Sequence, residues 1–221
     1  MSVLTVLTSQ SVDRVIDIYK DFKLRNINFK FSYIFSSGAA KYNENLIIDE
    51  SAYIKNIVNF FRVWIYDQDC NISVDNFQFY INMLIERGTV ECLHGSCMFH
   101  YLSIDAYGNI YPCGRSYGIE YCMGNIMDFN KIDDVFSTVE YTNIIKKSIV
   151  RRNNCQAVCD LYKFCQGGCN NNALMEGGIE NSGGYSCRVF KAIFIEIIKI
   201  FEEAKENLTI LNPIVKKLLE S

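Results

Sequence analysis

Cysteines are the residues of this 221-residue chain that stand out for their chemistry, because eight of the ten fall into a spaced pattern. Thiolates at short, repeated spacings hold soft metals, and eight of them would fill two four-cysteine iron–sulfur sites. Cys70 and Cys122 lie outside the pattern and are predicted to be free thiols that pack as small hydrophobic groups. The eight in the pattern are Cys92, Cys97, Cys113, Cys155, Cys159, Cys165, Cys169 and Cys187.

Disulfides and structural zinc are the two other uses of such a pattern. Dense cysteine indicates a disulfide framework mainly in short secreted chains. This sequence starts with MSVLTVLTSQ, which has neither the basic region nor the apolar core of a secretory signal. Disulfides are therefore the weakest alternative. Four-cysteine zinc sites use similar loops, so the spacing alone leaves zinc and iron–sulfur clusters equally open.

The composition is that of an ordinary globular protein, with 49% hydrophobic and 21% charged residues, which is enough to bury a core. A formal net charge of −3 argues against a general nucleic-acid-binding role. No uninterrupted apolar run reaches the roughly 18 residues of a membrane span. A cytoplasmic protein without a membrane or nucleic-acid partner is therefore predicted. The densest basic pair, Arg151 and Arg152, is predicted to be a solvated helix end.

The beginning of the chain predicts one parallel βαβ unit and hence an α/β fold. A β-branched apolar run over 3–8 is typical of a buried strand, apolar residues at helical spacing follow over 12–24, and a second strand is expected over 27–35. The two strands must run parallel because a helix separates them. Such a unit leaves strand edges unpaired. We therefore expect neighbouring strands from missing sequence or from another chain.

Three further helices are predicted from apolar periodicity. Amphipathic patterns run over 49–66 and over 74–87, and Gly88 is expected to cap the second helix. The last segment, 188–208, repeats apolar residues at helical spacing, which is typical of a helix that faces the core. Aromatic residues such as Phe60 are expected to be core material.

The stretch from Cys92 to Cys187 is rich in cysteine and glycine and contains a predicted β-hairpin. Residues 99–113 alternate around a Tyr-Gly-Asn turn, and Asp105 fits the chemistry of that turn. His94 and His100 lie among the cysteines. With eight thiols available, we expect both histidines to have other roles than metal ligation.

The order of these residues resembles the SPASM domain, the C-terminal cluster-binding extension of many radical SAM enzymes. Cys97, ten residues, Gly108, four residues and Cys113 match the first part of the family pattern. The second part is matched by Cys155-x3-Cys159-x5-Cys165-x3-Cys169 and then Cys187, with one residue more than usual between the first two. Short sequence motifs match as well: GNIYPC over 108–113, MGNI over 123–126 and CQGGC over 165–169.

The resemblance covers nearly the whole chain, because the front of the chain also looks like the last βα units of the radical SAM partial barrel. It implies a partial TIM-type barrel over 1–88, a SPASM auxiliary-cluster domain over 89–190 and a C-terminal helical segment over 191–221. Within the family, anaerobic sulfatase-maturating enzymes and related peptide-modifying maturases are the most similar. Peptide or protein substrates are therefore implied.

Two auxiliary 4Fe-4S clusters, which position the substrate and relay electrons, are what the resemblance implies as cofactors. An extra cysteine ahead of the hairpin supplies an eighth ligand in the related maturases, and Cys92 fits that place. If Cys92 is not a ligand, the first cluster keeps an open iron. Carried over by position, the first cluster takes Cys92, Cys97, Cys113 and Cys169. The second takes Cys155, Cys159, Cys165 and Cys187.

Two departures from the family bear on what the chain does alone. S-adenosylmethionine is cleaved at a Cys-x3-Cys-x2-Cys loop that holds a third 4Fe-4S cluster, and no such triplet occurs here. The resemblance therefore implies the C-terminal portion of an enzyme whose N-terminal radical SAM half lies in the same or a separate chain, served by an electron donor. Sulfatase-maturating enzymes also carry an aspartate right after the hairpin cysteine, where this chain has Gly114 and then Arg115. A thioether or carbon–carbon cross-link is thus as well supported as formylglycine formation.

A non-catalytic module is the alternative from another functional class. Such a module would hold zinc or clusters and recognise a peptide, and the missing triplet favours it. Arg115 is expected either to form a structural ion pair or to contact a peptide carboxylate with both of its outer nitrogens. No catalytic residue is assigned.

Overall fold

The computed structural model describes residues 1–34, 40, 42–86, 97, 101–116, 118 and 121–220. Packing divides the chain into two units, one made of residues 1–89 with 188–221 and the other of residues 90–187. Residues 191–221 thus pack with the first unit. The assignment of either unit to a family domain stays a prediction.

Helices and short strands both occur in the described residues, so the predicted α/β class is confirmed as a mixed helix-and-strand fold. In chain order the elements are β1 (Ser2–Leu7), α1 (Val15–Leu24), β2 (Asn28–Tyr33), α2 (Glu50–Ile65), α3 (Asp75–Leu84), β3 (Ser103–Ile104), β4 (Ile110–Tyr111), α4 (Val139–Val158), α5 (Tyr162–Cys165), α6 (Asn170–Met175), α7 (Tyr185–Lys205) and α8 (Pro213–Glu220).

The predicted βαβ unit is present, and its two strands are parallel. β1 and β2 pair in register from Ser2 opposite Asn28 to Leu7 opposite Tyr33. The far edge of β2 is covered by the segment before α3, where Val74 bridges to Phe29. Among the described residues, β1 pairs with β2 alone. One edge of this small sheet is thus closed from within the unit.

Aromatic side chains fill the space between β2 and helices α2 and α3. Phe29, Phe60, Trp64 and Phe77 are fully buried. The rings of Phe60 and Phe77 have centroids 4.6 Å apart, and those of Phe31 and Phe77 are 5.5 Å apart. Tilted ring pairs at such distances contribute beyond their buried area. The core role predicted for these aromatics is confirmed.

Two helices begin or end at residues other than those predicted. α3 ends at Leu84, and Glu86 adopts a left-handed φ of 56°, so the helix stops before Gly88, which lies outside the described residues. α7 starts at Tyr185, three residues before the predicted Arg188. Its predicted apolar face is confirmed, since the face is buried along most of its length. No helix in the described ranges is long and apolar enough to cross a membrane.

The predicted hairpin is present as β3 and β4, which pair antiparallel. Asp105 closes its turn as expected, because Oδ1 accepts hydrogen bonds from the backbone N–H groups of Tyr107 (2.8 Å) and Asn109 (3.0 Å). Gly108 has φ of 85°, and a Cβ there would lie 3.0 Å from Oδ1 of Asn125. Asn125 also donates to the carbonyl of Tyr107 at 2.8 Å. The MGNI motif therefore packs against the hairpin turn at the start of the GNIYPC motif.

A half-buried carboxylate ties α1 to the end of α2. Asp67 accepts a hydrogen bond from the Tyr19 hydroxyl at 2.6 Å and from Nζ of Lys23 at 2.6 Å. Burial raises the pKa of Asp67, but the hydrogen bonds from Lys23 and Tyr19 outweigh it, so the pKa lies below its ordinary value. The carboxylate is therefore charged in the folded state.

Replacing Asp67 with asparagine should lower the free energy of unfolding by about 2 kcal/mol at pH 7, because both partners lose a charged acceptor. The pKa of Asp67 is lowered on folding, so its contribution is complete above the unfolded carboxyl pKa of about 3.9 and is lost as the pH falls through the folded value. Urea unfolding over a pH series measures both. Asp69→Asn, at an exposed neighbour, should change stability by no more than about 0.5 kcal/mol. Equal midpoints for the two variants would contradict the assignment.

Candidate metal centre

Helix α4 carries the first two thiols of the second predicted cluster, and the sequence analysis did not predict this helix. Its N-terminus is capped by the hydroxyl of Thr138, which accepts from the N–H of Tyr141 at 3.2 Å. Cys155 lies in its last turn, and Cys159 follows the helix, with its N–H donating to the carbonyl of Cys155 at 3.0 Å. The step of four residues from Cys155 to Cys159, one longer than in the family pattern, therefore corresponds to about one helical turn.

The CQGGC motif forms a tight loop between α5 and α6, with its central residues in the left-handed backbone conformation. Gln166, Gly167 and Gly168 have φ of 49°, 89° and 72°, and the N–H of Gly168 donates to the carbonyl of Cys165 at 2.8 Å. Left-handed residues in a row are rare unless glycine supplies them. The loop lets Cys165 end one helix and Cys169 begin the next.

Two of the four thiols predicted for the second cluster, Cys155 and Cys165, have pKa values raised above the ordinary value of a thiol. Burial raises the pKa of Cys155, and the charges of Cys187 and Cys159 raise it further. Burial also raises the pKa of Cys165; the Gly167 N–H at this thiol lowers it, and the charges of Cys159, Cys187 and Cys155 raise it. These thiols come from the end of α4, the end of α5 and the first turn of α7.

The cysteines predicted for the first cluster are only partly described. Cys113 and Cys169 meet at Arg115, whose backbone N–H lies 3.4 Å from Sγ of Cys113 and whose Nη2 lies 3.8 Å from Sγ of Cys169. The carbonyl of Cys97 accepts from the N–H of Tyr101 at 2.9 Å. Cys92, with His94 and His100, lies outside the described residues.

No three cysteine, histidine, aspartate or glutamate side chains come together tightly enough to hold one metal ion within the part of the chain that the structure describes. The described cysteines form no disulfide. Cys70 is a buried free thiol, as predicted, and Cys122 is a half-buried one that donates to the carbonyl of Gly124 at 3.5 Å. The ligand sets therefore stay predictions.

Arg151 is not the solvated helix end that the sequence predicted. It lies inside α4 with only 1% of its surface exposed, because its guanidinium is directed into the unit rather than into water. Nε donates to the carbonyl of Gly167 at 3.0 Å, and Nη1 donates to the carbonyl of Ile179 at 2.6 Å. Nη2 donates to Gly168 and to the side chain of Asn170. Its neighbour Arg152 is half-buried.

Three buried amides directly after Cys169 were missed by the sequence analysis. Asn170 accepts from Arg151 and from the hydroxyl of Ser148. Asn172 accepts from Nη2 of Arg115 at 2.5 Å, and Asn171, with its amide oxygen turned to the same guanidinium, accepts at 2.9 Å. The only sequence signal was the run of three asparagines itself. Neutral amides hold these two cations in place without cancelling their charge.

No protein-family model and no curated protein matches this chain. Solved structures of anSMEcpe, an anaerobic sulfatase-maturating enzyme of the SPASM radical SAM class, do match. Native anSMEcpe with bound AdoMet is 22% identical, with a TM-score of 0.73, over 93% of this chain and 57% of that chain. Native anSMEcpe with AdoMet and the Kp18Cys peptide is 22% identical, with a TM-score of 0.68, over 93% of this chain and 58% of that chain.

This chain thus spans little more than half the length of the structures that it matches. At this level of identity the likeness shows the fold. The resemblance predicted from the cysteine pattern and the sequence motifs is therefore confirmed at the level of the fold.

Alanine at Gly167 should destabilise the CQGGC loop more than alanine at Gly168. Both positions are left-handed, which costs a non-glycine residue about 1 to 2 kcal/mol. A Cβ on Gly167 would also lie 3.1 Å from Cγ of Arg152, whereas a Cβ on Gly168 meets nothing within 4 Å. Thermal unfolding of the two variants checks this order, and a Gly167→Ala protein as stable as the unaltered chain would refute the loop conformation.

Proposed function

We propose that this chain is the C-terminal portion of a radical SAM/SPASM enzyme that modifies a peptide or protein, and that it holds two auxiliary 4Fe-4S clusters. The observation that carries the proposal is that Arg115 lies within reach of Sγ of Cys113 and of Sγ of Cys169, which the family pattern assigns to one cluster. The pattern assigns Cys155, Cys159, Cys165 and Cys187 to the other cluster. The matching fold of a peptide-maturing enzyme supports the same conclusion.

The donor set fits iron–sulfur clusters. Thiolate is the ligand that such clusters take, and each cube needs four. A four-iron cube is larger than a single ion, so its thiolates stand further apart than those of a zinc site, where each sulfur lies about 2.3 Å from the metal. Eight cysteines in the order of the family pattern supply the donors of two such cubes.

The assignment of ligands follows the family order. The second cluster takes the four thiols named above, and the first takes Cys92, Cys97, Cys113 and Cys169. Because Cys165 and Cys169 belong to different clusters, the CQGGC loop joins the two sites. The contacts of Arg115 with sulfur at Cys113 and Cys169 support their pairing in one site.

When bound, the clusters would accept or relay one electron during oxidation of a positioned peptide. The chain's own part is to shield the sulfur atoms from water and to present hydrogen-bond donors to them. Burial and the N–H of Gly167 act in this way at Cys165. Hydrogen bonds to sulfur and exclusion of solvent are the means by which a protein sets the potential of such clusters.

S-adenosylmethionine cleavage is assigned to an N-terminal half with its own three-cysteine loop and third cluster, because that loop is missing from this sequence. The neighbouring structures contain AdoMet, and the match covers 93% of this chain but only 57% of that chain. β1 supports the assignment, since its outer edge has no partner strand in the described residues. Leu4 (64%) and Val6 (53%), on one face of the strand, are also exposed. We infer that strands of a partial barrel continue from this edge, in the same or a separate chain.

A peptide is the proposed substrate class, and the reaction need not be formylglycine formation. The neighbouring complexes hold the Kp18Cys and Cp18Cys peptides. Gly114 and Arg115 occupy the place of the aspartate expected of a sulfatase-maturating enzyme. A guanidinium held by amides is a poor proton acceptor, so a thioether or carbon–carbon cross-link fits this position better.

A non-catalytic peptide-recognition module with zinc or clusters is the second candidate. The missing three-cysteine loop favours it, because a chain that cannot cleave S-adenosylmethionine can still bind a peptide. The metal content of the purified chain and the activity of the chain with its N-terminal half separate the two candidates.

Anaerobic reconstitution of the chain should yield about eight irons and eight sulfides, the content of two 4Fe-4S clusters. Cys187→Ser should reduce this to about four irons, because it removes one ligand of the second cluster only. Cys70→Ser is the matched control, since Cys70 lies outside both sets and should leave iron unchanged. Iron, sulfide and zinc analysis measures the result. Stoichiometric zinc with little sulfide would overturn the proposal and support the module.

A further inference from the structure

Arg151 is a buried cation that the proposed function does not yet use. Its guanidinium is bound by the carbonyls of Gly167, Gly168 and Ile179 and by the amide of Asn170. All four partners are neutral, and no carboxylate among the described residues pairs with Arg151. Burying an ion is costly unless an opposite charge lies nearby.

The groups near Arg151 that would carry the opposite charge are cysteines, which become thiolates when they bind a cluster. Cys155 lies one helical turn after Arg151 in α4. Burial lowers the pKa of Arg151, whereas the charges of Cys155, Cys169 and Cys165 raise it. Two of these cysteines are proposed ligands of the second cluster, and Cys169 is a proposed ligand of the first. Arg151 also binds the carbonyls of Gly167 and Gly168, which lie between Cys165 and Cys169 in the chain. Its charge is therefore held at the loop that joins the two sites.

We propose that Arg151 is a fixed positive charge shared by the two clusters, which makes both easier to reduce. This inference depends on the proposed function, since it requires that the clusters bind. A cube held by four thiolates is anionic and gains a further negative charge when it takes up one electron. Guanidinium does not lose its proton in proteins, so it favours the reduced state at every working pH. Arg151 acts through the clusters and is a positioning residue, with no contact to substrate required.

Two substitutions separate the charge of Arg151 from its hydrogen bonds. Arg151→Gln and Arg151→Lys both lose the five-donor fork, but only the glutamine variant loses the positive charge. Lys147→Gln is the matched control, because Lys147 lies one helical turn earlier in α4 and is exposed. It removes the same charge from the same helix at the surface, where water screens it.

The measurement is the reduction potential of each cluster, followed by electron paramagnetic resonance as dithionite supplies one electron per cube. Iron and sulfide are quantified first in every variant. Arg151→Gln should lower the equilibrium constant for reduction of both clusters, each about tenfold, which is about 59 mV for a one-electron couple. A shift in one cluster alone would contradict a shared charge. Arg151→Lys and Lys147→Gln should leave the potentials at the values of the unaltered chain.

Each outcome has one meaning. An unaltered chain that takes up no iron removes the proposed function and this inference with it. Loaded clusters with the same potential in the unaltered chain and in Arg151→Gln overturn the inference alone, as do equal shifts in the glutamine and lysine variants. If only Arg151→Gln fails to load iron, the charge acts on cluster binding and not on reduction, and the inference is wrong. If both variants fail, the hydrogen-bond fork is what matters, and the inference is wrong.

Discussion

The packing of helix α4 against the CQGGC loop depends on one buried guanidinium. Arg151 gathers the carbonyls of Gly167, Gly168 and Ile179 around its donors, and these carbonyls come from segments far from it in the sequence. Without these hydrogen bonds, several buried carbonyl groups would have no donor, and each unsatisfied carbonyl costs free energy. The helix that carries Arg151 also carries Cys155. One side chain thus connects the end of α4 with the loop that presents Cys165 and Cys169.

Neutral amides accompany this cation for a physical reason. Asn170, Asn171 and Asn172 satisfy the donors of Arg151 and Arg115 and add no negative charge. A carboxylate in the same place would cancel the cations and repel nearby thiolates. Amides let both arginines keep their full charge toward the cysteines. The same arrangement suits a site meant to hold anionic clusters, as proposed for this chain.

The core of the first unit is built from aromatic packing, in addition to the polar contacts of Asp67. Phe29, Phe31, Phe60 and Phe77 form a continuous ring cluster between a two-stranded sheet and two helices. The face of the sheet that packs on the helices is closed, while β1 keeps exposed apolar residues along the other side. Parallel sheets are usually covered on both faces, and the exposed face of β1 therefore supports the proposed continuation of the fold in further chain.

Local patterns carried much of this protein's description. Hydrophobic periodicity was enough for β1, α1, β2, α2 and α7, because each buries one face and alternates with its own period. The turn chemistry of Asp105 and Gly108 was readable because an Asx turn forms from neighbouring residues. The stop of α3 was not readable from Gly88, since a left-handed Glu86 ended the helix first. Helix α4 was missed because its surface is mostly polar and shows little periodicity.

The sequence by itself determined which residues could be ligands, their order and the class of fold, because spacing and periodicity are properties of the chain. Only the tertiary structure decided which thiols approach one another and that Arg151 is buried while Arg152 beside it is half-buried. The side chains of neighbouring residues in a helix point about 100° apart. Two adjacent arginines that look the same in the sequence therefore face different surroundings. Which of them lies among the sulfurs depends on how α4 packs against a loop more than a dozen residues further on, and no local pattern contains that information.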